Sequence, residues 1–475
     1  MTLWPKIKNR FGILLLLLAD IATLLTLFHI SVLIRINILP EFFSSLPLFN
    51  QNLETYWWIF IAWPAIMIYE GGYSKRFTFW DEMKFLTKSS FFALITIFAI
   101  LFISKKGPEF SRILILTMAT IAFPLFPIVR PFFKKILFSF GLLKRKVIIA
   151  GSGIAAETAL KSILNEPNLG YEIVGFIDDN PLAKEICGFK VRQGLNQIER
   201  YIKKAGIHDV IVAKQELKKD EIAKLINHIQ HKAENTLYMP DIKGIAVSGS
   251  ELKYFFQEQA LVLEIKNNLA QPLNYISKRL IDYISAIFIT IILFVPMLAI
   301  IIRIKLTSKG PAIYTQERIG KNGKYFMCYK FTSMYTDAEE RLQKILTTDP
   351  EAKKEWEEYW KLKDDPRITE TGKFLRKTSL DELPQLLNIL KGEMSLIGPR
   401  PYLPREWKFI KEESHILHAL PPGITGLWQV SGRNNQDYNY RITMDSWYVK
   451  NWDLWLDIMI LFKTVGVVIK RDGAC

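Results

Sequence analysis

Five apolar runs limit what this chain can become. The first, Phe11 to Ile34, is apolar over about 24 residues, where roughly 20 suffice to cross a bilayer as a helix. No small-residue cleavage site follows, so the run reads as a retained helix and not as a signal peptide. Asp20 inside it is costly in lipid and is expected to face other helices. Three shorter runs follow: Tyr56 to Tyr69, Phe91 to Ser104 with some flanking residues, and Ile113 to Val129. Four helices return the chain to its starting side.

The cations between the runs orient the bundle. Lys6, Lys8, Arg10, Lys75, Arg76, Lys84, Arg130, Lys134, Lys135, Lys144, Arg145 and Lys146 fall on one side; Arg35, Lys105, Lys106 and Arg112 fall on the other. Both ends of the bundle are therefore expected to be cytoplasmic, with the later domains facing the same way. At 49% hydrophobic residues and a formal charge of +15, anionic lipid and phosphorylated substrates are better partners than nucleic acid. Cys187, Cys328 and Cys475 are widely spaced with no CxxC, so neither a disulfide framework nor a zinc site is indicated.

From Lys146 the pattern changes to α/β: the strand KVIIA, the turn GSGIAA, and a helix to about Leu164. Gly151, Gly153 and Ala156 fit G-x-G-x-x-G/A in the strand-to-helix context that gives the fingerprint meaning. A second strand ends in Asp178 and Asp179. An NAD site would place Gly153 by the pyrophosphate and Asp178 on a ribose; the plainer alternative is a tight glycine turn with no dinucleotide. A nucleotide-sugar oxidoreductase or dehydratase on a membrane anchor would need an acid-base set such as Tyr-x-x-x-Lys, and residues 146 to 240 contain none.

The fifth run, Leu280 to Ile302, carries Lys278 and Arg279 before it and Arg303, Lys305 and Lys309 after it. Both flanks say inside. A helix that enters the membrane, breaks at Pro296 and returns to the same face accommodates them; an ordinary crossing with a proline bend is the alternative.

Beyond it, SLDELPQLLN places Asp381 and Glu382 between the basic stretches KFLRK and SLIGPRP. Pro384 belongs in a first helical turn, which favours Asp381 as N-cap. A second frame uses Ser379 as cap with Glu382 closing a capping box. Either frame sets Asp381 at a helix N-terminus that could cradle a phosphate, and either leaves open that Asp381 only caps while Glu382 faces solvent.

KRLID, GPAIYTQERIG, YKFTSM, DPRIT, LRKTSLDELPQLLNILKGEMSLIGPRP and PGITGLWQVSGRN, in that order from Lys278 almost to the C-terminus, resemble the bacterial sugar transferases, the polyprenyl-phosphate hexose-1-phosphate transferases. The bundle and Rossmann-like module ahead of them resemble the long form of that family, whose type member transfers galactose 1-phosphate. The resemblance implies transfer of a hexose 1-phosphate, galactose first and glucose as alternative, from a UDP-sugar to undecaprenyl phosphate with release of UMP, starting a surface polysaccharide. It assigns Asp381 as nucleophile through a covalent phosphosugar intermediate, Glu382 as its helper, Mg2+ at both carboxylates, and Arg400, Arg376 and Arg367 as phosphate ligands, with Lys330 and Arg433 as further cations. Pro296 becomes the break of a re-entrant helix at the cytoplasmic face of the bacterial inner membrane. Relatives usually read KFRSM, whereas this chain has Thr332, and Cys475 stands where an aromatic is common.

The expected architecture is thus a four-helix transmembrane bundle over residues 1–140, a Rossmann-like α/β module over 141–243, a linker over 244–277, and an α-rich monotopic catalytic domain over 278–475. A homodimer is the expected assembly.

Overall fold

A computed structural model describes residues 3–43, 46, 52–104, 110–181, 183–242, 244–245, 250–255, 260–308, 310–359, 362, 365–432 and 438–470. The chain forms two compact units, Met1–Ile242 and Lys243–Cys475. Arg433, Cys475, Lys105, Lys106 and Lys309 lie outside the described residues.

In the first unit, helices α1 (Leu3–Leu33), α2 (Ile59–Tyr69), α3 (Phe79–Ile103) and α4 (Arg112–Ser139) pack around an apolar core that includes Leu24, Phe28, Trp63, Ile97, Met118 and Phe126. The long apolar helices here are α1, α3 and α4; α2, at 11 residues, is shorter than a span. Helix α3 begins a dozen residues before the run read from sequence. Thr78 caps it by accepting from the Asp81 amide, and the charged turn that follows is absorbed because Glu82 is buried in ion pairs with Arg130 and Lys134 at 3.1 and 2.7 Å. Asp20 does face other helices, accepting from Arg130 at 2.5 Å and from the Tyr73 hydroxyl at 2.6 Å. Arg130 and Lys134 of α4 are therefore paired with buried carboxylates of α1 and α3.

The same network ties the bundle to the α/β module, since Asn168 donates to Glu82 at 2.6 Å and Arg76 donates to the carbonyl of Leu143 at 2.7 Å. The module consists of β1 (Arg145–Ala150), α5 (Ile154–Asn165), β2 (Tyr171–Asp178), β3 (Phe189–Gln193), α6 (Ile198–Ala205), β4 (Asp209–Val212), α7 (Lys219–Gln230) and β5 (Asn235–Tyr238). Its sheet runs in the order β3-β2-β1-β4-β5, all parallel, with a two-residue antiparallel strand, Glu185–Ile186, beside β3. Buried Val147, Ile149, Phe176 and Ile211 face one helical layer, and Ile148, Ala150, Ile177 and Val210 the other, the doubly covered pattern that parallel strands require.

The second unit opens with an antiparallel strand pair, Glu251–Phe255 and Ala260–Glu264, and continues into α8 (Pro272–Thr307), 36 residues long. Pro296 lies within α8 and does not end it, because a proline removes one backbone bond while the flanking turns persist. Both ends of the helix pack on the unit. Near its start, Lys278 donates to Asp457 at 2.7 Å and to the Ile397 carbonyl at 2.9 Å, and Asp282 accepts from Ser395 and the Leu396 amide. Near its end, Ile304, with Met297 and Ile301, packs against Ala312, Phe331 and Leu375. The middle, including Phe288, Ile291, Ile292 and Val295, is exposed and apolar.

After α8 come a hairpin of β6 (Ile313–Ile319) and β7 (Tyr325–Phe331), the two helices Ala338–Thr348 and Pro350–Tyr359, helices α9 (Glu370–Lys377) and α10 (Gln385–Leu390), a parallel pair β8 (Ser395–Ile397) and β9 (Gly423–Thr425) with short helices between its strands, and two closing helices, α11 (Tyr438–Lys450) and α12 (Leu454–Lys470). The face of α12 carrying Leu456 and Ile460 is in the core, where Asp457 accepts from Lys278, Tyr448 and Trp452.

Candidate active site

The motif around Asp381 does not begin a helix in either frame read from sequence. Ser379 adopts a left-handed conformation (φ 56°) after α9, and Leu380–Glu382 form a single 3-10 turn in front of α10. Pro384 stands before Gln385, the first residue of α10. The left-handed residue reverses the chain before a longer helix can start, so Asp381 and Glu382 project from a tight turn and neither acts as a cap.

Asn388 holds this turn against the hairpin. It accepts from the Tyr329 amide at 3.0 Å and donates to the Met327 carbonyl at 2.8 Å, so that one side chain satisfies the open edge of β7 as a neighbouring strand would. Cross-strand partners share a face. Lys330 opposite Tyr314, Cys328 opposite Gln316, and Phe326 opposite Arg318 therefore point the same way, and this face is the floor of a cleft of about 280 Å³ including its mouth.

The cleft is lined by Arg318, Cys328 and Lys330 from the hairpin, Glu382 and Gln385 from the turn and α10, Arg400 and Pro401 after β8, and Gly423, Ile424 and Gln429 on the far side. Glycines bring those last segments close. A Cβ on Gly423 would lie 2.1 Å from the Gly398 amide nitrogen, and one on Gly426 would lie 2.3 Å from the Gly398 carbonyl oxygen, so GPRP and PGITG interlock backbone to backbone. Gly372 serves the same end beneath the turn, its hypothetical Cβ only 1.9 Å from the Ser333 carbonyl oxygen.

Lys330 donates to Glu382 at 2.7 Å, and burial pushes the half-buried Asp381 carboxyl above the usual carboxylate range. Lys330 and Arg376 oppose that rise, while the Glu382 charge adds to it. Arg376 donates to Ser333 Oγ at 2.9 Å and stands electrostatically beside Asp381. Arg367 is held by its own motif: it donates to both oxygens of Asp365, at 2.8 and 2.7 Å, and lies over the Trp356 ring. Thr332 donates to the Pro311 carbonyl at 2.5 Å, so the side chain replacing the usual arginine is turned to the backbone. The structure thus places Glu382, Lys330 and Arg400 on one cleft, sets Asp381 and Arg376 electrostatically beside Glu382 and Lys330, and gives Arg367 a carboxylate partner.

Sequence reading missed Arg318, which is buried at 7% exposure. Its signal was the hairpin register, which puts it on the same face as Lys330. Missed too was Asp445, buried under Arg400. It accepts from the Arg400 amide at 3.2 Å and the Tyr402 hydroxyl at 2.9 Å, and burial raises its pKa to about 6 against the opposing Arg441 charge.

The model for the bacterial sugar transferase family matches residues 273–471, the segment that carries this cleft. An undecaprenyl-phosphate galactose phosphotransferase of Salmonella typhimurium is 39% identical over 85% of this chain and 84% of its own length. The chain belongs to the bacterial sugar transferase family. Exopolysaccharide production protein ExoY of Sinorhizobium fredii is 43% identical to this sugar transferase over 43% of the present chain and 90% of its own. A UDP-glucose:undecaprenyl-phosphate glucose-1-phosphate transferase of Escherichia coli K12 is 31% identical over 68% of each chain.

Residues 68–240 of the transferase also match a CoA-binding domain model. The glycine turn there is present, with Gly151 at φ 127° and Gly153 preceding α5. Asp178 is buried and engaged, accepting from Lys214 at 2.5 Å and from Ser152 at 2.7 Å. Burial would raise its pKa, but Lys214, Ser152 and the Asn180 amide outweigh this and hold it below the ordinary value. A ribose hydroxyl at Asp178 would compete with a buried ion pair.

Proposed function

We propose that the chain transfers galactose 1-phosphate from UDP-galactose to undecaprenyl phosphate, releasing UMP and starting a surface polysaccharide. The observation that carries this reading is the Asp381–Glu382 turn, with Asp381 beside the Lys330 and Arg376 charges and with Glu382 and Lys330 lining a basic cleft. An Asp381 oxygen attacks the sugar-bearing phosphorus, and the bond from that phosphorus to the bridging oxygen breaks. UMP leaves with the bridging oxygen, and the phosphosugar stays on Asp381. An oxygen of the lipid phosphate then attacks the same phosphorus, and Asp381 returns to a carboxylate. Glu382 holds Lys330 in place, and Lys330 with Arg376 and Arg400 stabilises the charge that gathers on the phosphoryl oxygens.

Two adjacent carboxylates suit Mg2+, which takes one or two carboxylates and completes its shell with phosphate oxygens and waters. Asp381 and Glu382 would hold it, and it would supply further charge neutralisation. The two packed ends of α8 and its exposed apolar middle support a path that dips into the inner membrane and returns, keeping the cleft at the cytoplasmic face where a soluble nucleotide and a lipid phosphate meet. Galactose rests on the relatives' names and not on a contact.

The deciding experiment incubates the purified protein with UDP-galactose and searches by mass for a hexose phosphate on the peptide containing Asp381. Asp381→Asn should abolish both the adduct and UMP release, and full activity in that variant would end the nucleophile assignment. A panel of UDP-hexoses assigns the sugar.

A further inference from the structure

Lys330 and Glu382 line the cleft with the Asp381 charge beside them, and Arg318 lines it too. Four residues along β7 separate Lys330 from Phe326, the partner of Arg318, which is about 13 Å of strand. Arg318 is fixed in the wall by NH1, which donates to the Pro401 carbonyl at 3.0 Å, and NH2, which donates to Gln316 Oε1 at 2.7 Å. Its Nε–H is buried and has no partner among the described residues. Burial, and next the neighbouring Arg400 guanidinium, push its pKa down to about 10, so it remains charged at neutral pH at an energetic cost.

The cleft lining contains three cations, Arg318, Lys330 and Arg400, against a single carboxylate, Glu382, which Lys330 already binds. A buried guanidinium with an unused donor and no carboxylate partner is costly unless an anion completes it. Close by, the Nε and NH2 groups of Arg441, itself 7% exposed, and the Trp428 indole N–H are also buried without partners among the described residues. Arg441 lies over the rings of both Tyr402 and Trp428, and Arg400 over that of Trp428.

Two phosphate sources fit such a seat: the nucleotide half of the donor and the lipid phosphate. Position favours the first. With the sugar-bearing phosphorus at Asp381, beside Lys330, the second phosphorus follows one bridging oxygen away, in the cleft that Lys330, Arg318 and Arg400 line together. We propose that Arg318 binds the phosphate that departs with the nucleoside, so that the part of the cleft it lines with Arg400 is the seat of the leaving group. This rests on the phosphosugar-transfer reading above.

The test uses the full-length protein in detergent with Arg318→Met and Arg318→Lys, each checked for wild-type thermal unfolding. Three quantities are read: the KM for UDP-galactose in UMP release, the inhibition constant of added UMP, and the KM for undecaprenyl phosphate. Losing a charge-assisted hydrogen bond in a buried site is worth roughly 10- to 100-fold, so Arg318→Met should raise the first two by that factor and leave the third within about twofold. Arg318→Lys keeps the charge but loses the guanidinium geometry, and should move the same two constants in the same direction by less; it carries the test if the methionine variant fails to fold. Unchanged UDP-galactose and UMP constants in a folded variant would overturn the proposal, as would an effect confined to undecaprenyl phosphate, which would give the seat to the lipid. A wild-type protein that releases no UMP from any UDP-hexose would instead refute the underlying reaction.

Discussion

Lys330→Met should separate catalysis from stability. Both members of the Lys330–Glu382 pair are about a quarter exposed, at 24% and 26%. At an effective dielectric near 20, unit charges about 4 Å apart attract by about 4 kcal/mol before solvent competes, but partly exposed pairs return only about 0–1 kcal/mol of net stability. The unfolding temperature should therefore move little. Activity should fall much further, because Lys330 is also the cation that most opposes the burial-driven rise in the Asp381 pKa, and because in the proposed reaction it faces the oxygens on which charge develops. Removing one such preorganised donor typically costs about 100- to 1,000-fold in kcat, or roughly 2.7–4 kcal/mol.

The assay is initial UMP release from UDP-galactose by purified protein, paired with thermal unfolding in the same detergent, for Lys330→Met, Glu382→Gln and the double variant. Because the two residues form one hydrogen bond, the double variant should lose less than the product of the single losses. Activity of Lys330→Met within threefold of wild type would refute this account of the site, and so would a loss of stability as large as the loss of activity.

Lys278→Met removes a fully buried cation and strands Asp457, so it should cost about 3–5 kcal/mol of unfolding free energy in the second unit, whereas Lys278→Met with Asp457→Leu should recover much of it; equal unfolding of single and double variants would contradict this. Gly372→Ala puts a methyl 1.9 Å from the Ser333 carbonyl oxygen. The backbone must move, at about 1–3 kcal/mol or more, and the Arg376–Ser333 bond with it; UMP release and unfolding temperature should both drop. In the module, Asp178 has a depressed folded pKa. Its pairing with Lys214 therefore stabilises fully above the unfolded value near 4 and fades as pH falls through the lower folded value. Lys214→Met should be destabilised relative to wild type at pH 7, with the gap narrowing below pH 4 in a thermal-melt series; a gap constant with pH would argue against the pair.

The sequence spoke plainly where one physical constraint had one solution. Asp20 in an apolar helix had to find partners, and it did; the β6–β7 hairpin, by contrast, was not read from the sequence, although Gly320 and Gly323 stand in its turn. Cations were the ambiguous letters. A lysine or arginine beside an apolar run reads alike whether it meets a headgroup or a carboxylate far along the chain, which is why Arg130, Lys134 and Lys278 look like topology signals and prove to be the partners of Asp20, Glu82 and Asp457. Arg367 carried its partner two residues away, in Asp365, and that spacing was readable. The turn at Asp381 was misjudged because Pro384 fits a helix start by local rules, while the left-handed Ser379 is set by the packing of α9 and α10. Arg318 was hidden as one arginine among many in a basic domain; the hairpin register that puts it on the face of Lys330, together with its burial, distinguishes it.

The exposed middle of α8 decides how the transferase can be removed from its membrane. Ile287, Phe288, Ile291, Ile292, Phe294, Val295 and Leu298 each expose between 43 and 72% of their surface. At roughly 1.5–3 kcal/mol for each such side chain when fully withdrawn from water, even partial exposure makes this stretch alone worth on the order of 10 kcal/mol. Salt weakens attraction between charges and leaves that term intact. High-salt washes should therefore leave the second unit on the membrane even when it is cut free of the first, and detergent should be needed to release it.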